Sequence, residues 1–386
     1  MIKKLSSVIA VVLIFTFSLT GCIVSSTTLP GTVLNPTSTT KVVPPSSATN
    51  LVSGLETTLE TVYSNVNPSV VNIQVTLGPK ASIFGGVALG SGFVWDTKGN
   101  IITNNHVVDG ATRITVTFYD GTVVDANLAG TDADSDLAVI QVNPDGLSLQ
   151  PVTMGDSTTL QVGQLAIAIG NPFGLQGTMT AGFVSGLGRL LPANQNAVGP
   201  SYSIPDVIQT DAAINPGNSG GVLLDDSGAV IGITQSIATT SGSSAGVGFA
   251  IPSAIIKQVI PALISTGHYD HPYLGLSLTT LNPDLAGAMN LAPNQHGALI
   301  QSVAVGGPAD KAGLKASSDT TTINGQQVSV GGDVIIGYNG QTIKSSDDLI
   351  TYLARTGAVG QTVTLNVLRG GKQIQVQVTL GLRPSS

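Results

Sequence analysis

Apolar residues change their spacing several times along the chain, and each change predicts a different kind of structure. Leu5 to Thr20 is an uncharged, largely apolar run, shorter than the ~20 residues that span a bilayer comfortably. From Ile23 to Asn50, 12 Ser/Thr and 4 Pro crowd into 28 residues with Lys41 as the one charge, so the stretch cannot bury a core and reads as a tether. At Ser53 the pattern turns helical: Ser53 and Glu56 make a capping-box pair, and Leu55, Leu59, Val62 and Tyr63 share one face. Short β-branched segments follow at Val70 to Leu77, Ser91 to Trp95, Arg113 to Tyr119, Ala138 to Val142, Leu165 to Ile169 and Val230 to Gln235, separated by Gly, Asp-Gly and Asn-Pro punctuation. That spacing predicts barrels or a sandwich. A helix opens at Pro252, repeats Ile255, Ile256, Val259, Ile260, Leu263 and Ile264, and stops before Gly267, where a domain ends.

Composition narrows the picture. The chain has 386 residues, a length suited to two or three domains, and its 47 Gly and 20 Pro fit many short strands better than long helices. Only 10% of residues are charged and the net charge is −7, so no basic face exists to neutralise phosphates and nucleic-acid binding is excluded. One cysteine, Cys22, rules out a disulfide framework and every Cys-based zinc site.

Lys3 and Lys4 ahead of the apolar run read as a secretory signal. The run closes on Leu19-Thr20-Gly21-Cys22, which resembles the lipobox of bacterial lipoproteins and implies lipidation at Cys22 after removal of residues 1–21. The expected location is the cell envelope, on the periplasmic or extracellular side, with the protein held to the membrane by its N-terminal lipid.

In the β-rich region, Gly217-Asn218-Ser219-Gly220-Gly221 sets a serine among glycines that permit unusual backbone angles and expose amide N–H groups, as an oxyanion hole requires. A serine hydroxyl also needs a base and a group that orients the base; His106 and Asp136 lie upstream in the order His, Asp, Ser. The motif fits G-x-S-x-G as well, but a nucleophile elbow needs a helix after the serine, and Val222 to Leu224 followed by Asp225-Asp226-Ser227-Gly228 reads as strand and turn. Asp132, Asp134 and Asp136 alternate like the start of a calcium loop. Leu137 and Asn143 stand where that loop wants Gly and Glu, so no metal is expected. Gly155-Asp156-Ser157 reads as a turn.

Five motifs in order resemble the HtrA (Deg) serine proteases: Gly90-Ser91-Gly92-Phe93; Ile102-Thr103-Asn104-Asn105-His106-Val107-Val108; Asp136-Leu137-Ala138-Val139; Ala168-Ile169-Gly170-Asn171-Pro172-Phe173-Gly174; and Gln209 to Gly221. The resemblance runs from about residue 53 to the end. It implies a mostly β chain, with a chymotrypsin-like double β-barrel protease domain over 53–267 and one α+β PDZ domain over 268–386, after a signal peptide (1–21) and a lipidated tether (22–52). Carried over motif by motif, Ser219 is the nucleophile, His106 the base and then acid, and Asp136 the group that fixes the imidazole. Gly217 and Ser219, with Asn218, are the oxyanion donors. The resemblance further implies an aliphatic primary pocket at Ile214 and the loop Ser236 to Val247, a sensing loop from Leu187 to Asp206 with Arg189 as its switch, and trimers formed through the protease domain. The short stretch between Leu77 and Leu89 leaves no room for a long regulatory loop.

Downstream, Tyr273-Leu274-Gly275-Leu276 resembles the PDZ loop whose amides grip a C-terminal carboxylate. Leu276 and Leu278 then lie on the strand a peptide extends, facing Leu349, Ile350 and Leu353 on a helix begun by Ser345 and ended near Gly357. Gly307 to Leu314 and Gly332-Asp333-Val334-Ile335 match PDZ pattern, while Lys315 to Gly331 is longer than usual. The expected function is a cofactor-free serine endopeptidase acting on unfolded envelope proteins and regulated by C-terminal tails. The alternative is a holdase or scaffold that binds unfolded chains with little proteolysis.

Overall fold

A computed structural model describes residues 46–78, 86–171, 177–192, 203–235 and 246–384. The signal segment, Cys22 and most of the tether lie outside the described residues, as do Pro172 to Gly174 and 236–245 of the pocket loop.

Helix α1 (Ser46–Val66) starts seven residues ahead of the expected cap at Ser53, which lies inside it and accepts a hydrogen bond from Thr57 Oγ1. No proline interrupts residues 46–66, and Pro44-Pro45 is the first strong helix breaker upstream, so the helix runs through Ser53. The end of the expected tether is therefore helical.

Two closed barrels follow. Strands β1 (Val70–Leu77), β2 (Val87–Val94), β3 (Asn100–Thr103), β4 (Ala111–Thr117), β5 (Val123–Asp132) and β6 (Leu137–Gln141) close in the order β1-β2-β3-β6-β5-β4. Strands β7 (Leu165–Gly170), β8 (Thr178–Pro192), β9 (Ser203–Thr210), β10 (Val222–Leu224), β11 (Val230–Gln235) and β12 (Gly248–Pro252) close as β10-β11-β12-β9-β8-β7. The short helix α2 (Asn105–Val108) leaves β3, and α3 (Ser253–Thr266) leaves β12.

Several of these strands read as unbroken apolar runs because both faces are buried. Ile101, Ala138 and Ile140 point into the first barrel, while their neighbours Ile102, Leu137 and Val139 point to a second core. In the other barrel Ala166 and Ala168 face inward, and Ile167 and Ile169 join that same second core. The period of two thus sorts alternate residues between each barrel's interior and one apolar seam that joins the barrels. Helix α3 seals the seam with Ile255, Ile256, Val259, Ile260 and Leu263. It ends on Gly267 at φ +81°, whose N–H returns to the Leu263 carbonyl at 3.1 Å. A Cβ at Gly130 on β5 would meet the Leu263 carbonyl oxygen at 2.5 Å, so only glycine lets the helix end pack there. Ser157 serves this helix from afar: its Oγ accepts the Ala254 N–H at 3.0 Å.

The C-terminal domain holds β13 (Pro272–Tyr273), β14 (Leu276–Thr280), β15 (Ala298–Val303), β16 (Asp319–Ile323), β17 (Gln326–Val330), β18 (Val334–Tyr338), β19 (Gln341–Thr342), β20 (Thr362–Arg369), β21 (Lys372–Thr379) and β22 (Gly381–Leu382), with α4 (Pro283–Ala288), α5 (Pro308–Lys311) and α6 (Ser346–Thr356). Its main sheet runs β14-β15-β18-β20-β21. The long segment between the two PDZ motifs is the β16–β17 hairpin, turned at Asn324-Gly325 with φ +49° and +80°. Ser345 caps α6 by accepting the Asp348 N–H, and the Asp348 carboxylate returns to the Ser345 N–H.

One buried ion pair ties α6 to the second barrel. Arg355 donates Nε–H to Asp206 Oδ2 at 2.7 Å, and the Asp206 side chain is 3% exposed. Burial pushes the Asp206 carboxyl above the ordinary aspartate value, against the pull of Arg355. A carboxyl that holds its proton more tightly when folded adds stability at low pH and loses it as pH rises through the folded value. The melting-temperature advantage of wild type over Asp206→Asn should therefore shrink as pH rises from about 4. Asparagine suits the φ of +63° at this position. Calorimetry across that range checks this, and an advantage that grows with pH would show that pairing outweighs burial.

Candidate active site

Asp136 enters the site on strained backbone, at φ +53° between β5 and β6. Its carbonyl is pinned by Asn104 Nδ2 at 2.9 Å and by the Asn105 N–H at 3.1 Å, which turns the carboxylate toward α2. There it accepts the His106 backbone N–H on Oδ1 at 2.9 Å and lies 2.7 Å from His106 Nδ1 through Oδ2. An ionised Asp136 holds the proton on Nδ1 and leaves Nε2 as the acceptor. The carboxylate is 4% exposed and the imidazole 46%, so the acid is sealed beneath a ring that opens to solvent.

Gln235, at the end of β11, adds a third donor to this carboxylate through Nε2 at 3.1 Å. Sequence reading missed it, because a glutamine ending an apolar strand carries no motif. Its burial inside a hydrophobic run is the only local hint.

Ser219 lies in a loop with little freedom. Gly217 at φ +95° and Gly220 at φ +85° shape the turn, and Thr234 clamps it, accepting the Gly220 N–H at 3.0 Å and donating its N–H to Gly221 O at 2.9 Å. The Ser219 carbonyl accepts the Ser91 N–H at 2.8 Å, and Gly217 O accepts Ser91 Oγ at 2.7 Å. A Cβ at Gly220 would fall 2.1 Å from the Ser91 carbonyl oxygen, and one at Gly90 would fall 2.5 Å from Val107 Cγ1. The serine loop and the helix that carries His106 therefore meet on neighbouring residues of β2.

Of the expected oxyanion donors, the Gly217 N–H has no acceptor among the described residues. Asn218 is a correction: its N–H is already given to Asn215 O at 2.9 Å, because the tight turn at Gly217 closes on that bond. Ile214 is 5% exposed in the core of the second barrel, and the α-carbon of Gly248 packs so close that a Cβ there would lie 2.5 Å from Ile214 Cγ1. Arg189 is exposed on β8 opposite Val207. Part of its loop, 193–202, lies outside the described residues.

Asp132, Asp134 and His271 can each bring one ligand atom within 4.8 Å of the others. These groups already satisfy one another. His271 Nε2 is 2.9 and 2.8 Å from the two Asp132 oxygens, Ser135 Oγ bonds Asp132, and Asp134 pairs with Arg383 at 2.9 Å. Asp132 and Asp134 are thus tied into the fold by side-chain partners.

Tyr273, Leu274, Gly275, Leu276, Leu278, Leu349 and Leu353 line one cavity of about 520 Å³. Leu349, 1% exposed, also belongs to the domain core. The cavity reaches beyond the C-terminal domain, because Asp134, Ser135, Pro205 and Gln258 line it as well.

Residues 90–233 match the family described as trypsin-like peptidase domain and residues 272–380 the PDZ domain. Protease Do-like 1, chloroplastic, of Arabidopsis thaliana is 42% identical over 302 residues, 76% of this chain and 64% of its own length. A protein described as probable periplasmic serine endoprotease DegP-like, from Chlamydia trachomatis, is 41% identical over 77% of this chain and 54% of its own. The chain thus spans less than two thirds of the length of these curated relatives. The solved HtrA-type protease AlgW with tripeptide superposes with a TM-score of 0.68 at 35% identity, covering 85% of this chain and 98% of that one. With both domains matched in order and nearly the whole of that protease covered, the chain belongs to the HtrA (Deg) family of serine proteases.

Proposed function

We propose that this protein is a serine endopeptidase that cleaves unfolded or misfolded proteins of the cell envelope and is regulated by C-terminal peptides at its PDZ domain. The observation that carries the reading is the buried Asp136 carboxylate bonded to both the backbone and the Nδ1 of His106, beside a strand that also anchors the Ser219 loop.

In this mechanism His106 Nε2 takes the Ser219 hydroxyl proton while Oγ attacks the peptide carbonyl, and Asp136 stabilises the imidazolium. The tetrahedral oxyanion is received by the N–H groups of Gly217 and Ser219; loss of one such donor typically costs ~3 kcal/mol. His106 then returns the proton to the leaving amine as the C–N bond breaks. Water, deprotonated by the same nitrogen, hydrolyses the acyl-enzyme and restores Ser219. The chemistry needs no cofactor. Ile214 fits a pocket for small or medium aliphatic side chains, and Arg189 is assigned as the sensor of the neighbouring loop.

Export rests on Met1 to Cys22 and on relatives described as periplasmic. The proposal includes cleavage before Cys22, lipidation there, and homotrimers formed through the protease domain; mass spectrometry of the membrane fraction and sedimentation equilibrium read these directly.

A fluorophosphonate probe should modify Ser219 in the full chain, and hydrolysis of an unfolded protein substrate should vanish in Ser219→Ala and His106→Ala. Substrate bound without turnover by wild type and variants alike would favour a holdase instead. Gln235→Leu should lower kcat about tenfold with little change in KM, because it strips one donor from a carboxylate that acts only through His106. An unchanged kcat would reduce Gln235 to a packing residue.

A further inference from the structure

The groove between β14 and α6 ends at a loop with unspent donors. Leu274 and Gly275 are both buried, yet neither N–H has an acceptor among the described residues. Their carbonyls are spent elsewhere: Leu274 O accepts the Ala309 N–H at 3.0 Å and Gly275 O the Ala304 N–H at 2.9 Å. Buried amide donors without partners are costly, and two of them at one end of a cavity mark a place for an anion.

A cation follows the strand that pairs with the lead-in to this loop. Tyr273 pairs with Gly381 across β13 and β22, and the Arg383 N–H donates to the His271 carbonyl at 3.0 Å, so the Arg383 backbone is fixed opposite His271, three residues before Leu274. Its side chain lines the same cavity. There it is already neutralised, because Arg383 NH1 donates to Asp134 Oδ2 at 2.9 Å. Asp134 belongs to the turn that leads into Asp136 and lies 249 residues away in sequence. The two side chains are 22% and 28% exposed, so neither is sealed from water and the pair can exchange partners.

We infer that Arg383 receives the terminal carboxylate of a bound peptide and that Asp134 occupies it until the peptide arrives. The site is then composite. The PDZ loop supplies amide donors, Leu349 and Leu353 take an apolar last side chain, and the protease domain supplies the acid that the ligand displaces. The ligand class is a peptide tail with a free α-carboxylate. An amidated tail keeps the groove contacts but has no charge with which to compete. The inference rests on the tail-binding reading of the groove and adds to it a named competitor. The other ionisable groups at this end, Asp132 and His271, are bonded to each other at 2.8 Å and take no part in the exchange.

The test uses the full chain carrying Ser219→Ala, so that the probe is not consumed. A fluorescein-labelled pentapeptide ending in Tyr-Val-Val is titrated by fluorescence anisotropy, once as the free acid and once as the C-terminal amide. Arg383→Gln should weaken the acid about tenfold, and Asp134→Asn should tighten it by about threefold to tenfold. Asp134→Asn added to Arg383→Gln should change nothing further, and the amide should ignore all three changes. The opposite signs of the two single variants separate exchange from misfolding, which would weaken binding in both. Equal loss for acid and amide on Arg383→Gln, or an Asp134→Asn effect that survives without Arg383, overturns the exchange. If the acid binds, is lost on Leu353→Asp and is indifferent to Arg383→Gln, the groove reading stands and the exchange fails. If neither peptide binds any form, both fail.

Discussion

The geometry of the proposed active site hangs on Ser91. Its N–H holds Ser219 O, its hydroxyl donates to Gly217 O and accepts the Asn171 N–H at 2.8 Å, and its carbonyl accepts Thr103 Oγ1 at 2.7 Å. One fully buried residue of the first barrel thus satisfies the Ser219 loop, the end of β7 and the strand that leads to His106. Each such bond nets about 1 kcal/mol, but an orphaned buried partner costs about 1–3 kcal/mol. The arrangement is therefore cooperative: displacing Ser91 strands several groups at once. The glycines around it follow from the same crowding, since Gly90, Gly92 and Gly220 all face atoms closer than a Cβ could tolerate.

The protein joins its parts in two different ways. Barrel meets barrel through a dry seam of Val, Ile and Leu sealed by α3, a contact whose strength lies in area and packing and that has no alternative partner. The PDZ domain meets the barrels at polar pairs, Asp206 with Arg355, Asp132 with His271, and Asp134 with Arg383, and through Ala354 packed against the seam core. Charge pairs can trade one partner for another or for water, which an apolar seam cannot.

Much of this was legible in the sequence where the signal is local. Val70–Leu77 and Val230–Gln235 are strands with the expected bounds, α3 stops at Gly267, and α6 starts after Ser345, because turn residues and periodicity act over a few positions. His106 and Asp136 were readable for another reason: each sits in a contiguous motif whose neighbours make the bonds that aim it, as Asn104 and Asn105 do. What lay hidden is non-local. Arg355 and Arg383 look like ordinary surface cations until the fold brings Asp206 and Asp134 to them. Gln235 needs the register of β11 to reach Asp136. Asn218 failed as an oxyanion donor because motif membership does not say which N–H the turn itself consumes. Ser53 failed as a cap because a favourable pair cannot stop a helix that nothing upstream interrupts.

The turn from Asp132 to Asp136 is where these threads meet. Five residues carry four polar groups, and they divide by role: Asp136 faces His106 and Gln235, Asp132 faces His271 and Ser135, and Asp134 faces Arg383. The turn has little slack, because Asp136 sits at positive φ with its carbonyl pinned twice. The contacts of the PDZ edge at His271 and Arg383 thus fall within four residues of the Asp136 carboxylate. The Coulombic effect of losing one exposed pair at this distance is small in water-like dielectric. A mechanical effect has more leverage, since rotating the Asp136 carboxylate would lengthen its 2.7 Å contact with His106 Nδ1. Geometry, more than field, is the route by which the proposed regulation by the PDZ domain would reach the proposed active site.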